Sequence, residues 1–275
     1  MIKLVDTHCH IQSAGNRAGE RATRDLWAKG SGLTGDSLVQ NAFQNGVTKL
    51  ICVGCDYLDS QLAIDFVKSR SNCWASIGIH PHEAKDYAHN QIKLDDFAKL
   101  ASPPKVVAVG ECGLDYFYGH SSRADQITIL KFQIELALAH NLPLIFHVRE
   151  AFTDFWPIFD NYHTAGQKVR GVLHSFTDNQ TNLELALKRG LYIGVNGIAT
   201  FVKDQSQREV YRSIPLNNLL LETDAPYLTP TPYRGNINEP RHVLTVANFL
   251  SDLRGEDIST LATTTTANAH TLFSI

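Results

Sequence analysis

The sequence predicts an α/β protein built as a single TIM-type (β/α)8 barrel, with parallel strands and an active site at the C-terminal face. Three observations predict this fold: eight short apolar runs, helical patterns between them, and polar residues where the runs end. A strand followed by a helix, repeated without a linker or a low-complexity segment, is typical of one closed barrel. We therefore expect residues 1–275 to form one domain.

The eight predicted strands are nearly continuous apolar runs rich in Val, Ile and Leu, as expected of parallel strands covered on both faces. In chain order they are KLVDTH, TKLICVG, CWASIGIH, KVVAVGE, LPLIFHV, RGVLHSF, LYIGVNG and NLLLETD. A doubly wound open sheet is the alternative that periodicity alone leaves open. No Gly-x-Gly-x-x-Gly motif follows the first strand, which argues against a dinucleotide-binding fold.

The segments between the strands have the periodicity of amphipathic helices. The clearest is RADQITILKFQIELALAHN, residues 123–141, whose apolar side chains recur at three- and four-residue spacing. Gly46, Asn141 and Gly190 stand where helices pass into strands, as helix-terminating residues do. The segment from Pro240 onward supplies the last helices.

The charge balance excludes a protein that attracts nucleic acid through a global basic field. Lys and Arg number 25 against 28 Asp and Glu, which gives a formal net charge of -3. An anionic substrate must therefore be bound locally. The apolar fraction of 43% is ample for a core, and no apolar run reaches the roughly 20 residues of a membrane span.

The cysteines indicate a reducing compartment. There are five, and several lie in strand-like runs, so we expect free thiols in a soluble, cytoplasmic protein without a signal peptide. Cys52 and Cys55 form a C-x-x-C, but LICVGC is better explained as a strand with its following turn than as a redox or zinc motif. Nothing in the sequence indicates a membrane contact or an obligate protein partner.

Polar residues stand at the carboxyl ends of seven of the eight predicted strands. In a (β/α)8 barrel these ends meet at one face, where such enzymes place their active sites. A lone histidine on an apolar strand is more often a hydrogen-bonded core residue than a ligand, but convergence of this many favours a site. The residues are His8, His10, His80, Glu111, His147, His174, Asn196 and Asp224.

The motif DTHCH places Asp6, His8 and His10 at every second position of the first strand. Since side chains alternate along a strand, His8 and His10 point to the same side and Cys9 to the other, where it packs. Four imidazoles (His8, His10, His147, His174) and two carboxylates (Glu111, Asp224) are enough for two divalent ions. Such a donor set suits Zn or Mn at least as well as Mg, so the identity of the ions stays open.

A metal pair about 3.5–4 Å apart would supply what hydrolysis at neutral pH requires, namely a hydroxide nucleophile and a sink for charge on the reacting oxygens. Carboxylates can bridge such a pair because each oxygen binds one ion. The sequence therefore predicts a metal-dependent hydrolase.

The chain resembles the TatD family of metal-dependent hydrolases, usually described as deoxyribonucleases, within the amidohydrolase-like barrels. The matching stretches span nearly the whole chain and are specific as a set: DTHCH, IGIHPH, GECGLDYFY, LPLIFHVRE, HSF, LLLETDAPYLTPTPYRGNINEP and TTTTANAHTLF. Glu111, where many amidohydrolase relatives carry a carbamylated lysine, favours the TatD branch.

The resemblance implies a role for each ligand. His8, His10, Glu111 and Asp224 would hold one ion, and Glu111, His147 and His174 the other, with Glu111 as the bridge. Asp224 would also accept the proton of the attacking water, so Glu111 and Asp224 are the expected catalytic residues.

Substrate contacts are expected from His80, His82, Arg149, Asn196 and Arg234. The two arginines would bind phosphates, or brace loops through carboxylates such as Glu239. Tyr116 and Phe117 would stack on a base, or pack within their loop. Residues 14–31 form a longer first connection than in typical members and carry Arg17, Arg21, Arg24 and Lys29. This insertion is either a basic flap over the active face or a solvated loop without such a role.

The leading functional prediction is a deoxyribonuclease that cleaves phosphodiester bonds with a two-metal-activated water and trims single strands as a 3'-5' exonuclease does. The alternative is an amidohydrolase or esterase acting on a small C–N or ester substrate, since a polarised carbonyl makes similar demands on the site. A degenerate barrel that only binds a partner is a third possibility, and the presence of all six expected ligands argues against it.

Overall fold

The computed structural model describes residues 2–15, 21–30, 32–164 and 166–275. These residues form eight strands: β1 Leu4–Cys9, β2 Val47–Val53, β3 Cys73–Ile77, β4 Val106–Asp115, β5 Leu144–Arg149, β6 Gly171–Leu173, β7 Tyr192–Val195 and β8 Leu219–Leu221. They also form ten α-helices: α1 Arg21–Trp27, α2 Gly35–Gln44, α3 Tyr57–Val67, α4 Gln91–Ala98, α5 Arg123–Ala139, α6 Phe152–Tyr162, α7 Gln180–Lys188, α8 Gln205–Ser213, α9 Val243–Arg254 and α10 Ile258–Phe273.

The strands pair in parallel in the order β1 to β8, which confirms the predicted TIM-type barrel. The first and last strands meet just beyond β8, where the Asp224 N–H donates to the His8 carbonyl at 2.8 Å. The His10 N–H donates to the Ala225 carbonyl, also at 2.8 Å. Closure of the barrel therefore brings residues from the two ends of the chain into contact.

The side chain of Asp6 reinforces this closure. Its carboxylate accepts hydrogen bonds from the N–H of Thr223 at 2.9 Å and from the Thr223 hydroxyl at 2.6 Å. Burial raises the pKa of Asp6 to about 8, despite these bonds. Asp6 has the same two-residue spacing in the sequence as His8 and His10. Its carboxylate nevertheless joins β1 to the segment after β8 and is not one of the expected ligands.

The apolar residues of the strands are buried on both faces, as the continuous runs predicted. The larger hydrophobic cluster joins strands to the surrounding helices, and a second joins side chains of six strands to the end of α10. The helices end where the sequence indicated: Gly46, Asn141 and Gly190 have φ of 83°, 52° and 75°. Within the described residues, none of the helices combines the length and apolarity that a membrane span requires.

Candidate metal centre

The end of β1 supplies two buried imidazoles. His8 is fully buried and His10 nearly so, and their Nε2 atoms lie 3.2 Å apart. Nδ1 of His10 lies 2.8 Å from the carbonyl oxygen of Val53, which accepts only from a protonated nitrogen. Nε2 of His10 therefore carries the lone pair in the neutral ring and can bind a cation.

Glu111, within β4, directs its two carboxylate oxygens toward different histidines. Oε2 lies 3.4 Å from Nε2 of His8, whereas Oε1 lies 2.8 Å from Nδ1 of His147 and 3.6 Å from Nε2 of His80. Burial by itself would raise the pKa of Glu111, but His174, His80 and the other imidazoles around it hold that pKa well below its usual value. The carboxylate is thus ionised and can bridge two cations.

Asp224 lies three residues past the end of β8, directly opposite the histidines of β1. Its Oδ1 is 3.3 Å from Nε2 of His10, 3.6 Å from Nε2 of His8 and 3.9 Å from Nε2 of His174. The backbone of Asp224 has φ 60°, a conformation held by the N–H bond to the His8 carbonyl. The side chain is 14% exposed, so this carboxylate has access to the active-face cavity.

His174 follows β6 and stacks on His8 with ring centroids 3.6 Å apart. Its Nδ1 lies 3.0 Å from Oε1 of Glu222, a buried carboxylate that also accepts the N–H of Ser175 at 2.6 Å. Burial opposes protonation of His174, yet Glu222 and Glu111 outweigh it and raise the pKa of the ring to about 9. Glu222 thus directs Nε2 of His174 toward Glu111 and Asp224.

His147, at the end of β5, lies between two carboxylates. Nδ1 faces Glu111, and Nε2 is 2.9 Å from Oδ2 of Asp115. Burial lowers the pKa of His147, but hydrogen bonds to Asp115 and Glu111 raise it to about 9. Asp115 also accepts from Nε2 of His82 at 3.2 Å, and these bonds hold its pKa far below the ordinary value in spite of burial.

These residues fit a centre for divalent cations. Nitrogen and oxygen atoms within 4.8 Å of one another form three adjoining groups, and the mixed set is the one that Zn and Mn accept. His80 joins Glu111 and His147 in one group, whereas the sequence predicted it as a substrate contact. The groups are His8, His10 and Glu111; His8, His174 and Asp224; and His80, Glu111 and His147.

A cavity of about 740 Å³ opens over this centre at the C-terminal face of the barrel. His8 lies beneath the cavity and does not line it. Most of the predicted site residues do line it, and they are His10, His80, His82, Glu111, His147, Arg149, His174 and Asp224. The volume is that of a ligand-binding pocket, which is typically about 300–1,000 Å³.

The structure does not bring Asn196 and Arg234 to the cavity lining. Asn196 is buried, and its side-chain amide donates to the hydroxyl of Ser175 at 2.8 Å, so it supports the loop after β6. Arg234 is exposed, stacks on Phe201 at 3.9 Å and donates to the carbonyl of Thr229. The alternation of side chains along a strand could not predict the directions of Asn196 and Arg234. Both residues lie in segments that leave the barrel after β7 and β8.

Tyr116 and Phe117, the two aromatic residues predicted to stack on a base or to pack, have different environments in the loop after β4. The hydroxyl of Tyr116 donates to Asp154 at 2.8 Å, and its ring carries the guanidinium of Arg123, so Tyr116 braces the loop. Phe117 is 51% exposed. Tyr118, which the sequence did not single out, lines the cavity.

The described part of the insertion at residues 14–31 packs on the site. The indole N–H of Trp27 donates to the carbonyl of His10 at 3.0 Å, and Thr23 lines the cavity. Arg17 lies outside the described residues, and of Arg21 only the backbone, at the start of α1, is described. Arg24 lies 3.9 Å from Asp25, and Lys29 is exposed.

Three residues that support the centre were not predicted as part of it: Asp115, Glu222 and Cys55. Asp115 lies in GECGLDYFY and Glu222 in LLLETD, so both stood in recognised stretches, and Glu222 shares the alternation of Asp224. Cys55 follows β2 in the predicted turn and lines the cavity, and its Sγ lies 3.9 Å from Nδ1 of His10. All five cysteines, each within the described residues, are free thiols.

Comparison with known proteins gives a match over nearly the whole chain. The family model described as TatD related DNase matches residues 5–274. The 3'-5' ssDNA/RNA exonuclease TatD of Shigella flexneri is 36% identical over 87% of this chain and 93% of its own length. An uncharacterised metal-dependent hydrolase of Bacillus subtilis, YabD, is 32% identical over 99% of both chains.

Solved structures agree with these sequence matches. YjjV, a TatD homologue from Escherichia coli, superposes with a TM-score of 0.85 and 27% identity over 99% of this chain and 98% of its own. A TatD family hydrolase from Entamoeba histolytica, 22% identical with a TM-score of 0.83, shares the fold. The chain therefore belongs to the TatD-related DNase family of metal-dependent hydrolases.

Proposed function

We propose that this protein is a two-metal exonuclease that removes nucleotides from the 3' end of single-stranded DNA. The observation that carries the proposal is the orientation of Glu111, whose Oε2 faces His8 while its Oε1 faces His147. A carboxylate between two sets of imidazoles is suited to bridge a pair of ions. The relatives named as 3'-5' exonucleases support the substrate class and the polarity.

The proposed ligands are those that the family resemblance implies. His8, His10, Glu111 and Asp224 would hold one ion, and Glu111, His147 and His174 the second. Nε2 of His174 lies 3.8 Å from Oε1 of Glu111 and 3.9 Å from Oδ1 of Asp224, so it is within reach of both sets of donors. His80, whose Nε2 lies 3.6 Å from Oε1 of Glu111, is close enough to contact the second ion or a phosphate oxygen beside it. We propose Zn, Mn or Mg as the ions, with nitrogen-rich coordination favouring the first two.

The ions, when bound, lower the pKa of water and absorb charge on the phosphate oxygens. The protein contributes the positions of the other groups. Asp224 is partly exposed and only 3.3 Å from His10, so it is placed to accept the proton of the attacking water at Oδ1. Arg149 lines the same cavity and can bind a neighbouring phosphate, and His82 can do the same.

The experiment is hydrolysis of end-labelled single-stranded DNA by protein loaded with Zn, Mn or Mg, beside a panel of amides, esters and lactones. We expect stepwise shortening from the 3' end that a chelator abolishes. The Asp224→Asn variant should lose turnover by about 10²–10⁴-fold, the usual contribution of a general base. Asp204→Asn, which changes an exposed helix-capping carboxylate on α8, is the matched control and should keep wild-type turnover.

One outcome would refute the proposed function, and a second would refute the role of Asp224 within it. Hydrolysis of an amide, ester or lactone without cleavage of DNA would assign the amidohydrolase or esterase function instead. Near-normal turnover of Asp224→Asn on DNA would leave the nuclease activity in place but remove Asp224 from the role of base.

A further inference from the structure

We infer that Phe117, Tyr118 and Arg149 form a stacking platform for an unpaired nucleobase at the rim of the metal centre. The inference rests on the proposed function and adds to it a site for the base next to the cleaved phosphate. We call these three residues the aromatic rim.

The two rings of the aromatic rim are unusually exposed for residues beside a polar cavity. Phe117 is 51% and Tyr118 53% exposed, and their centroids are 4.8 Å apart with the planes nearly perpendicular. Among the described residues they are the only two consecutive large apolar side chains that are both exposed. Adjoining apolar surface left in water is typical of a contact site.

Arg149 gives the rim a positive charge. Its guanidinium carbon lies 3.9 Å from the centroid of Phe117 and 4.8 Å from that of Tyr118. No carboxylate of the described residues forms an ion pair with Arg149, and its side chain lines the cavity. A cation on aromatic faces at the edge of a pocket suits a ligand that has both a flat ring and an anionic group, as a nucleotide has.

The rim is fixed relative to the metal centre through Asp115. The N–H groups of Phe117 and Tyr118 donate to Oδ1 of Asp115 at 3.0 and 3.1 Å, while Oδ2 holds His147. The ring of Tyr118 also meets His82 edge-on, with centroids 5.4 Å apart, and is stacked with an offset on His120, with centroids 5.8 Å apart. A base stacked on the rim is therefore held at a set position beside the centre, without a cost for ordering the loop.

The platform selects a class of ligand. Every base has a π-face, so stacking would tolerate any sequence, but a base within a duplex has both faces covered by its neighbours. We therefore assign to the rim a preference for unstacked bases at single-stranded ends. A peptide or another protein would bury the same rings but would not depend on a nucleobase.

The test measures the binding of oligothymidylate to the manganese-loaded protein by fluorescence anisotropy. All proteins carry the Asp224→Asn substitution, so that the strand is not cleaved during the measurement. The rim variants are Tyr118→Ala, Phe117→Ala and Tyr118→Phe. Phe43→Ala, which removes an exposed ring on α2, is the matched control. A second strand of the same length lacks the bases at its 3' end.

Because the two ring planes are nearly perpendicular, one base can stack on only one of them and meets the edge of the other. We expect the alanine variant that removes the stacked ring, Tyr118→Ala or Phe117→Ala, to raise the Kd for oligothymidylate by about 5- to 150-fold, and the other to raise it less. Tyr118→Phe and Phe43→Ala should bind like the background protein. The strand without terminal bases should bind weakly and equally to all of these proteins, which a purely structural effect of the variants would not produce.

Unchanged binding by both alanine variants, or an equal loss for the strand without bases, would overturn the stacking platform while cleavage of DNA by the wild-type protein stands. If the wild-type protein neither cleaves nor binds single-stranded DNA, the proposed function fails and the platform with it.

Discussion

Three of the proposed histidine ligands are held through the ring nitrogen that faces away from the proposed ions. In each case the partner is a group that is not itself a proposed ligand. The carbonyl of Val53 holds His10, Asp115 holds His147, and Glu222 lies against Nδ1 of His174. Such outer partners fix the tautomer and the direction of the ring, and their loss typically reduces metal affinity about 10- to 100-fold. The hydrogen bonds on the outer ring nitrogens thus determine the direction in which the metal-facing nitrogens point.

The raised pKa values of His147 and His174 predict that metal binding releases protons. Burial opposes protonation of both rings, but the carboxylates around them raise both pKa values to about 9, above the ordinary value of 6.5. Both rings are therefore protonated at pH 7.5 in the metal-free protein, and a ligand must be neutral. Burial also opposes protonation of His10, another proposed ligand, but Cys55 and Asp224 hold its pKa well above the ordinary value. Binding of the ions at pH 7.5 should therefore release up to about three protons, and affinity should rise with pH until about pH 9.

Calorimetric titration with Mn²⁺ in two buffers of different protonation enthalpy measures the number of protons released. The contribution of the charged rings of His147 and His174 to the folding stability of the metal-free protein falls as the pH rises, whereas the metal affinity increases. It is complete below about pH 6.5 and disappears as the pH rises through 9. Metal binding without proton release, or an affinity independent of pH between 6.5 and 9, would contradict the assignment of these rings as ligands.

At the scale of elements, the position of Glu111 and His147 depends on close packing between β4 and β5. Gly113 pairs with His147 and has φ 151°, and a Cβ at this position would lie 1.8 Å from the His147 carbonyl oxygen. Gly113→Ala should therefore lower the free energy of unfolding by about 3–5 kcal/mol, measured by chemical denaturation. Gly190→Ala is the control, with a positive φ but open space around it, and should cost only about 1–2 kcal/mol. Equal losses in both variants would show that the approach of the two strands is not decisive.

The strands could be predicted from the sequence because each is a buried apolar run between turn residues, and all eight are present. Their ends could be predicted less well. β4 extends beyond Glu111 to Asp115, whereas β6 and β8 have three residues each and end before His174 and Asp224. Asp115 after Gly113 and Leu114 has the sequence of a loop, so its hydrogen bond to His147 could not be foreseen.

At the scale of the whole molecule, the six expected ligands lie together because the barrel closes. The sequence predicted their convergence, since parallel strands in a closed barrel must end at one face. The orientations of Asn196 and Arg234 could not be predicted, because they depend on loops that leave the barrel. The closure itself depends on Asp6 and Thr223, whose hydrogen bonds join the segments that carry His8 and Asp224.

The charge distribution of the whole molecule predicts weak salt dependence of DNA binding. The net charge is -3, and Arg149 is the one arginine or lysine among the described residues that line the cavity. With one or two phosphates neutralised by the protein, the slope of log K against log salt should be about -0.7 to -1.4 for a single strand. Affinity for oligothymidylate should then fall only about 3- to 7-fold between 50 and 200 mM salt.

Anisotropy titrations at increasing KCl concentration measure this slope. Arg149→Gln should make it shallower by about 0.7, since one phosphate contact is lost. Lys188→Gln, at the exposed end of α7 and outside the cavity lining, should leave it unchanged. A wild-type slope of about -4 or steeper would contradict local binding by the cavity alone, because it requires about six phosphate contacts. Cations beyond the cavity, such as those of residues 14–31, would then have to contribute to the binding surface.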